Sequence, residues 1–297
     1  MRNKKKIDSG ASDRLFKILM VLVCGFSVVV TLYPIYFVVI ASISDPLLVS
    51  TGRVVLLPKG ISLEGYKRIF EDSRIWLGYR NTIIYTVLGT LSNMLFTIPA
   101  AYALSRPDLK GRKAIMFFFT FTMFFGGGLI PTYLLIRNMG LIDNILVMII
   151  PFSVSVFNLI IARTFFENNI PNELLEAAKL DGCSNLRFFT SIVLPLSKSI
   201  LAVITLYYLV GRWNDWFNPM IYLGDPNMIP LPLVLREILV QNQALSGVGG
   251  IGQSVQQQFA DVVKYGVIVI STAPILCIYP FIQKHFTQGV MIGSMKG

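Results

Sequence analysis

Arg212 and Asp215 stand three residues apart inside a long apolar block, with Trp213, Asn214, Trp216 and Asn218 around them. A charge near the middle of a membrane span costs at least about 2.5–3.5 kcal/mol on insertion scales, so it needs a reason to be there. Two reasons are open. At this spacing the two side chains can share a helical face and pair, fixing helix packing, with the tryptophans as an interfacial belt. Alternatively, the aromatic faces and planar polar groups line a cavity in which Arg212, alone or with Asp215, meets a polar ligand.

Other chemistries lack their parts. No Gly-x-x-x-x-Gly-Lys-[Ser/Thr] phosphate loop occurs, so the chain is not an ATPase. It has one histidine, His285, read as an interfacial side chain, and no metal-ligand spacing, so neither a metal site nor a cofactor of its own is expected. No paired carboxylates lie in a span, which leaves a membrane enzyme without a catalytic set. Gly247-Val-Gly-Gly-Ile-Gly252 matches a dinucleotide fingerprint in form only, since no strand precedes it. Cys24, Cys183 and Cys277 give no disulfide framework.

The elements that position these residues are membrane spans. The chain has 297 residues, 54% hydrophobic and 14% charged, with a mean hydropathy of +0.64. Six apolar blocks run over Leu15–Ser42, Asn81–Ser105, Ala114–Ile136, Asn144–Phe165, Ile200–Leu223 and Val262–Ile282. Each is longer than the roughly 20 residues that cross a bilayer, and each is apolar nearly all round, unlike an amphipathic surface helix. The expected organisation is a cytoplasmic tail over 1–14, a six-span domain over 15–284 and a cytoplasmic tail over 285–297. The first block is too long for a signal peptide and has no small-residue cleavage site, so it is expected to remain as an anchor.

Charge sets the orientation. Sixteen of the 26 Lys and Arg residues lie on the side that holds both ends, the short loop Arg106–Lys113 and the connector Arg163–Lys198. By the positive-inside rule that side is cytoplasmic. The net charge of +10 is thus a matter of topology rather than nucleic-acid binding. Outside lie two long loops. In Ile43–Tyr79, Ser62 is placed to cap a short helix carrying Leu63, Tyr66, Ile69 and Phe70, lying at the membrane or against an external partner. Gly224–Asp261 reads as a flexible polar loop. Gly126-Gly-Gly-Leu-Ile-Pro131 weakens the third span, either as a kink lining a path or for close helix packing; Pro34, Pro99, Pro274 and Pro280 repeat this more weakly.

The connector over 166–198 is far longer than the 2–8 residues typical between helices. Pro171 starts a helix that Asn172 can cap, Glu173 and Glu176 suit its N-terminal dipole, and Gly182 is placed to end it in a left-handed turn. Leu174, Leu175, Ala177, Ala178 and Leu180 form an apolar, small-residue face, and the Ala177–Ala178 pair allows close approach. Phe188, Phe189, Ile192, Val193 and Leu194 follow, up to Pro195.

Glu176-Ala-Ala-Lys-Leu-Asp-Gly182, followed by Phe189, Ile192 and Leu194-Pro-Leu196, resembles the EAA motif of bacterial ABC importer permeases. Ser199 departs from the proline that many members carry at this point. Six spans, Trp213–Leu223 and the ending Gly289–Gly297 are similar to the carbohydrate-uptake, maltose-type branch, and Phe125–Tyr133 resembles the subgroup handling complex, often acidic oligosaccharides. The resemblance implies an all-α membrane protein of the type I ABC importer permease fold with a cytoplasmic coupling helix. It also implies docking to an ATP-binding subunit dimer through Glu176, Ala177, Ala178, Asp181 and Gly182, with Lys296 and Gly297 as tail contacts. ATP and Mg would be bound by that partner. A second homologous permease, an external solute-binding protein, the lipid bilayer and an oligosaccharide substrate are the other implied partners. Arg212, Trp213, Asn214, Asp215, Trp216 and Asn218 then suit a sugar path, with Arg212 facing hydroxyls or a uronate. The competing function is an ion-coupled secondary transporter, for which the expected internal repeat and intramembrane carboxylates are wanting.

Overall fold

The structure, a computed structural model, describes residues 11–246, 263–277 and 280. Among the described residues every regular element is helical. They fall into two compact units, one of residues up to Glu71 with those of 241–270, the other of Asp72–Val240 with those of 271–297.

In the first unit, α1 (Ala11–Ser42) presents its apolar side chains outward along most of its length. The turn that follows is ordered by Asp45, whose carboxylate accepts from Leu47 N at 2.8 Å and whose own N–H reaches Lys59 O at 3.0 Å. Gly60 lies so close that a Cβ there would sit 2.8 Å from Asp45 Cβ. Then comes α2 (Glu64–Glu71), with Ser62 Oγ accepting from Glu64 N at 3.4 Å. The expected surface helix is present. Ile69 is buried, and the Tyr66 hydroxyl bonds Ser42 Oγ at 2.8 Å.

The second unit is built on α3 (Ser73–Ser105), capped by Asp72. It begins eight residues ahead of the second apolar block, because Asp72 accepts from Arg74 N at 2.9 Å and stops the chain there. Then follow α4 (Arg112–Phe124), α5 (Leu129–Asn138), α6 (Val156–Asn169), α7 (Asn172–Leu180) and α8 (Lys198–Trp213). Two more helices follow in the chain, α9 (Leu231–Ser246) and α10 (Val263–Cys277).

Among the described residues, α1 and α3 are the single helices long and apolar enough to cross a membrane. The third, fourth and fifth apolar blocks are broken; a kink is one expectation for the third, whereas no break is expected in the fourth and fifth. In the third, α4 and α5 meet at 114° around the three glycines, Gly128 adopting a φ of +87° that a side chain rarely allows. In the fourth, a 3₁₀ turn over Ile145–Met148 is followed by an irregular stretch before α6. In the fifth, α8 stops at Trp213 and a separate turn runs Phe217–Tyr222. The segment read as the loop Gly224–Asp261 is also corrected, since it contains α9, with Leu231, Leu233 and Val234 buried. The helix is anchored by α3: Leu231 N donates to Thr82 Oγ1 at 2.8 Å, and Leu231 Cα lies 3.0 Å from where a Cβ on Gly78 would be. Gly247–Gly252, His285, Lys296 and Gly297 lie outside the described residues.

Candidate functional site

The helix-and-turn unit of the connector starts at Pro171. The sequence assigns the cap to Asn172, but Pro171 takes the cap position at φ −61°, ψ 141°, and Asn172 is the first residue of α7. The other end follows expectation. Gly182 has φ +71°, its N–H bonds Lys179 O at 3.1 Å, and Cys183 N bonds Ala178 O at 2.8 Å. These are the two backbone bonds of a Schellman stop.

One face of α7 is an anchor. Leu175 and Ala178 are buried in a cluster with Ile98, Tyr102, Phe166, Phe188 and Val193. Tyr102 stacks on Phe189 at 5.0 Å and meets Phe166 edge-on at 5.8 Å. Burying a leucine in this way is worth about 1.5–3 kcal/mol. Of the expected docking residues, Ala178 therefore packs against the chain's own core. Glu176, Ala177, Asp181 and Gly182 are exposed, and Leu180 is 90% exposed.

Next in the connector, Asn185–Phe188 is a single helical turn whose cap is Ser184. The chain then widens into a π turn over Phe189–Val193, closed by the Leu194 N–H on Phe189 O. Pro195 has no N–H to offer the preceding turn. The arm Asn185–Leu196 turns into α8 at 83°, so the connector leads straight into the fifth block.

Charge joins this unit to the loop after α3. Arg106 Nε donates to Asp108 Oδ1 at 2.8 Å, Arg106 Nη1 to Asn185 Oδ1 at 2.8 Å, and Lys179 Nζ to Asp108 Oδ2 at 3.3 Å. The Arg106 guanidinium, helped by Lys179, holds the Asp108 carboxyl well below the usual carboxylate range. Asp108 in turn pushes Arg106 further up.

A second site lies where the fourth and fifth blocks break. Arg212 Nε donates to Asn93 Oδ1 at 3.0 Å, Nη1 to Met148 O at 2.8 Å and Nη2 to Phe152 O at 3.5 Å. Asn93 Nδ2 donates to Phe152 O at 3.1 Å and Ser153 O at 2.7 Å. The Tyr208 hydroxyl accepts from Ser155 N at 3.0 Å and bonds Thr97 Oγ1 at 2.6 Å. Phe152 itself has φ +62°. Irregular backbone inside an apolar block survives only where other groups satisfy it, and these side chains do so here. Gly89 makes the room, since a Cβ there would lie 3.0 Å from Arg212 Nε.

Arg212 and Asp215 thus do not pair. Asp215 instead accepts from Asn218 N at 3.1 Å and Asn218 Nδ2 at 2.8 Å. Arg212, Asp215 and Asn218 line one open cavity of about 370 Å³ with Asn93, Asn158 and Tyr207. The tryptophans go elsewhere. Trp213 packs near Tyr79 at 6.4 Å, donates Nε1 to Ser271 O at 3.1 Å, and shares a second hollow with Asn214. Trp216 lies under Arg236 at 4.3 Å. Among the described residues no group of three or more His, Cys, Asp or Glu could hold a metal ion.

Asn93, Asn158, Tyr207 and Tyr208 were missed by sequence reasoning. A signal for Asn93 existed in α3, where Thr82, Thr86, Thr90, Asn93 and Thr97 recur every three or four residues, and all are buried. The stripe is a polar face inside a block that averages as apolar.

Residues 75–292 match the family described as binding-protein-dependent transport system inner membrane component, and the chain belongs to that family. It is a membrane permease component with the all-helical type I importer fold. It is 38% identical over 288 residues, covering 96% of this chain and 99% of the relative, to the polygalacturonan/rhamnogalacturonan transport system permease protein YtcP of Bacillus subtilis (strain 168). It is 37% identical over 286 residues, covering 96% of each, to Protein LplC of the same organism. A chain in the crystal structure of a bacterial ABC transporter involved in the import of the acidic polysaccharide alginate superposes with a TM-score of 0.84 at 37% identity, covering 93% of this chain and 98% of that one.

Proposed function

We propose that this chain is one of two homologous permease subunits of an ATP-driven importer of oligosaccharides, acidic ones in particular. The observation that carries the ATP-driven mechanism is α7, held from within by Leu175 and Ala178 while Glu176, Ala177, Leu180, Asp181 and Gly182 face outward. An ATP-binding subunit docks on that face, and its closure on ATP moves α7 and tilts the spans between inward- and outward-facing states. A solute-binding protein delivers substrate from outside. Both termini are cytoplasmic, with the tail through residue 14 and the tail from 285 flanking the membrane domain, and Lys296 and Gly297 reach the ATPase dimer.

The substrate class is supported by relatives named for polygalacturonan/rhamnogalacturonan and alginate transport. Within the cavity, Asn158, Tyr207, Asp215 and Asn218 offer hydroxyl-binding groups, whereas the Arg212 donors are engaged by Asn93 and two carbonyls. Purifying the complex and identifying what co-purifies tests the reading. An ATP-binding subunit and a second permease are expected, with uptake into proteoliposomes that stops on ATP depletion and survives a protonophore. Uptake by the chain alone, or abolished by the protonophore, overturns it in favour of ion coupling.

A further inference from the structure

Lys179 sits in the last turn of α7 and reaches Asp108 Oδ2 at 3.3 Å. Arg106, the residue that ends α3, grips both oxygens of the same carboxylate and also holds Asn185 Oδ1 at 2.8 Å. One carboxylate thus stands between α7 and the end of α3, with the Arg106 side chain only 13% exposed. The apolar packing of Leu175 and Ala178 resists lifting α7 away, but such contacts are non-directional and resist sliding poorly. Charge-assisted bonds to a planar guanidinium add direction.

We propose that Asp108 is a positioning residue, a strut that passes the displacement of α7 to α3; this rests on the docking role of α7 argued above. The far end of that lever is the cavity. Along α3, Asn93 stands about 20 Å from Arg106 at about 1.5 Å per residue. Asn93 holds the carbonyls of Phe152 and Ser153 and the guanidinium of Arg212. A push at Asp108 therefore reaches the irregular backbone of the cavity wall through a single helix and one amide. Without the strut, α7 moves with the ATPase while α3 lags.

The test uses the whole transporter in proteoliposomes with its binding protein, measuring sugar taken up and ATP hydrolysed together. Asp108→Ala and Lys179→Met are expected to lower uptake per ATP by about threefold to tenfold, with the ATP-binding subunit still in the complex. Lys179→Arg, which keeps the bond to Asp108, is expected to stay close to the parental ratio. A parental ratio in both loss variants overturns the strut, as does dissociation of the ATP-binding subunit, which would make the pair a docking contact. Glu176→Arg serves as the separate arm. If it leaves the ratio unchanged the docking reading itself fails, whereas a drop with Glu176→Arg and none with Asp108→Ala removes only the strut.

Discussion

Arg212 Nε lies 3.0 Å from Asn93 Oδ1, and that bond ties the fifth apolar block to the second across the broken part of the fourth. The positive charge that stands out in the sequence is occupied with backbone. Its acceptors are the carbonyls of Met148 and Phe152 as well as Asn93; removing it takes a donor from Asn93 Oδ1 and Met148 O, while Phe152 O keeps Asn93 Nδ2.

Arg212→Met should therefore impair uptake through stability as much as through recognition. A buried acceptor left without a partner costs about 1–3 kcal/mol. The complex is expected to assemble, melt at a lower temperature and transport poorly. Arg212→Lys should rescue little, since one ammonium cannot reproduce the fork that spans these acceptors. Thermal melting of the purified complex beside uptake by vesicles checks both.

Gly89→Val should reproduce the Arg212 defect without touching the arginine. Even a Cβ at that position lies 3.0 Å from Arg212 Nε, and forcing atoms into a packed site costs about 1–3 kcal/mol. Gly211, with nothing within 4 Å of its Cβ position, supplies the packing control, and Gly211→Ala should not lower the melting temperature of the complex.

Tyr208→Phe removes the hydroxyl that Thr97 and Ser155 N share and keeps the ring. A loss of about 1 kcal/mol is expected, milder than at Arg212 and detectable as a small fall in melting temperature.

The Asp108 strut should be insensitive to pH across the working range. Its folded pKa is depressed by Arg106 and then Lys179, so its contribution is fully present above the ordinary carboxylate value of about 3.9. It is lost only as pH falls through the lower, folded value. Uptake per ATP should thus stay level from about pH 8 to about pH 5, followed by parallel uptake and hydrolysis measurements; a fall centred near pH 6 would assign the coupling to another group.

Much of this was legible in the residues because it is local. Gly182 could be read as a left-handed stop, and Ser62 as the start of a short helix, since each acts on its immediate neighbours. The breaks were not. Ile145–Ser155 looks like span in composition, and its irregular path depends on Asn93 and Tyr208, which lie more than fifty residues away in sequence. The same long-range dependence explains α9, whose first turn is set by Thr82, and the separation of Arg212 from Asp215. Spacing put those two on one helix, but α8 ends between them, at Trp213. The Ala177–Ala178 pair shows the limit in miniature: composition marked a place for close approach, and only packing shows that Ala178 approaches its own core.

The most direct measurement of the docking claim is uptake per ATP hydrolysed by the reconstituted complex carrying Gly182→Ala. Nothing stands within 4 Å of a Cβ there, but the φ of +71° remains, and an L-residue in that region costs about 1–2 kcal/mol. A loosened α7 terminus is expected, with ATP hydrolysis retained, uptake per ATP clearly reduced, and the sugar site still able to bind. Undiminished coupling in that variant and in Glu176→Arg would contradict it.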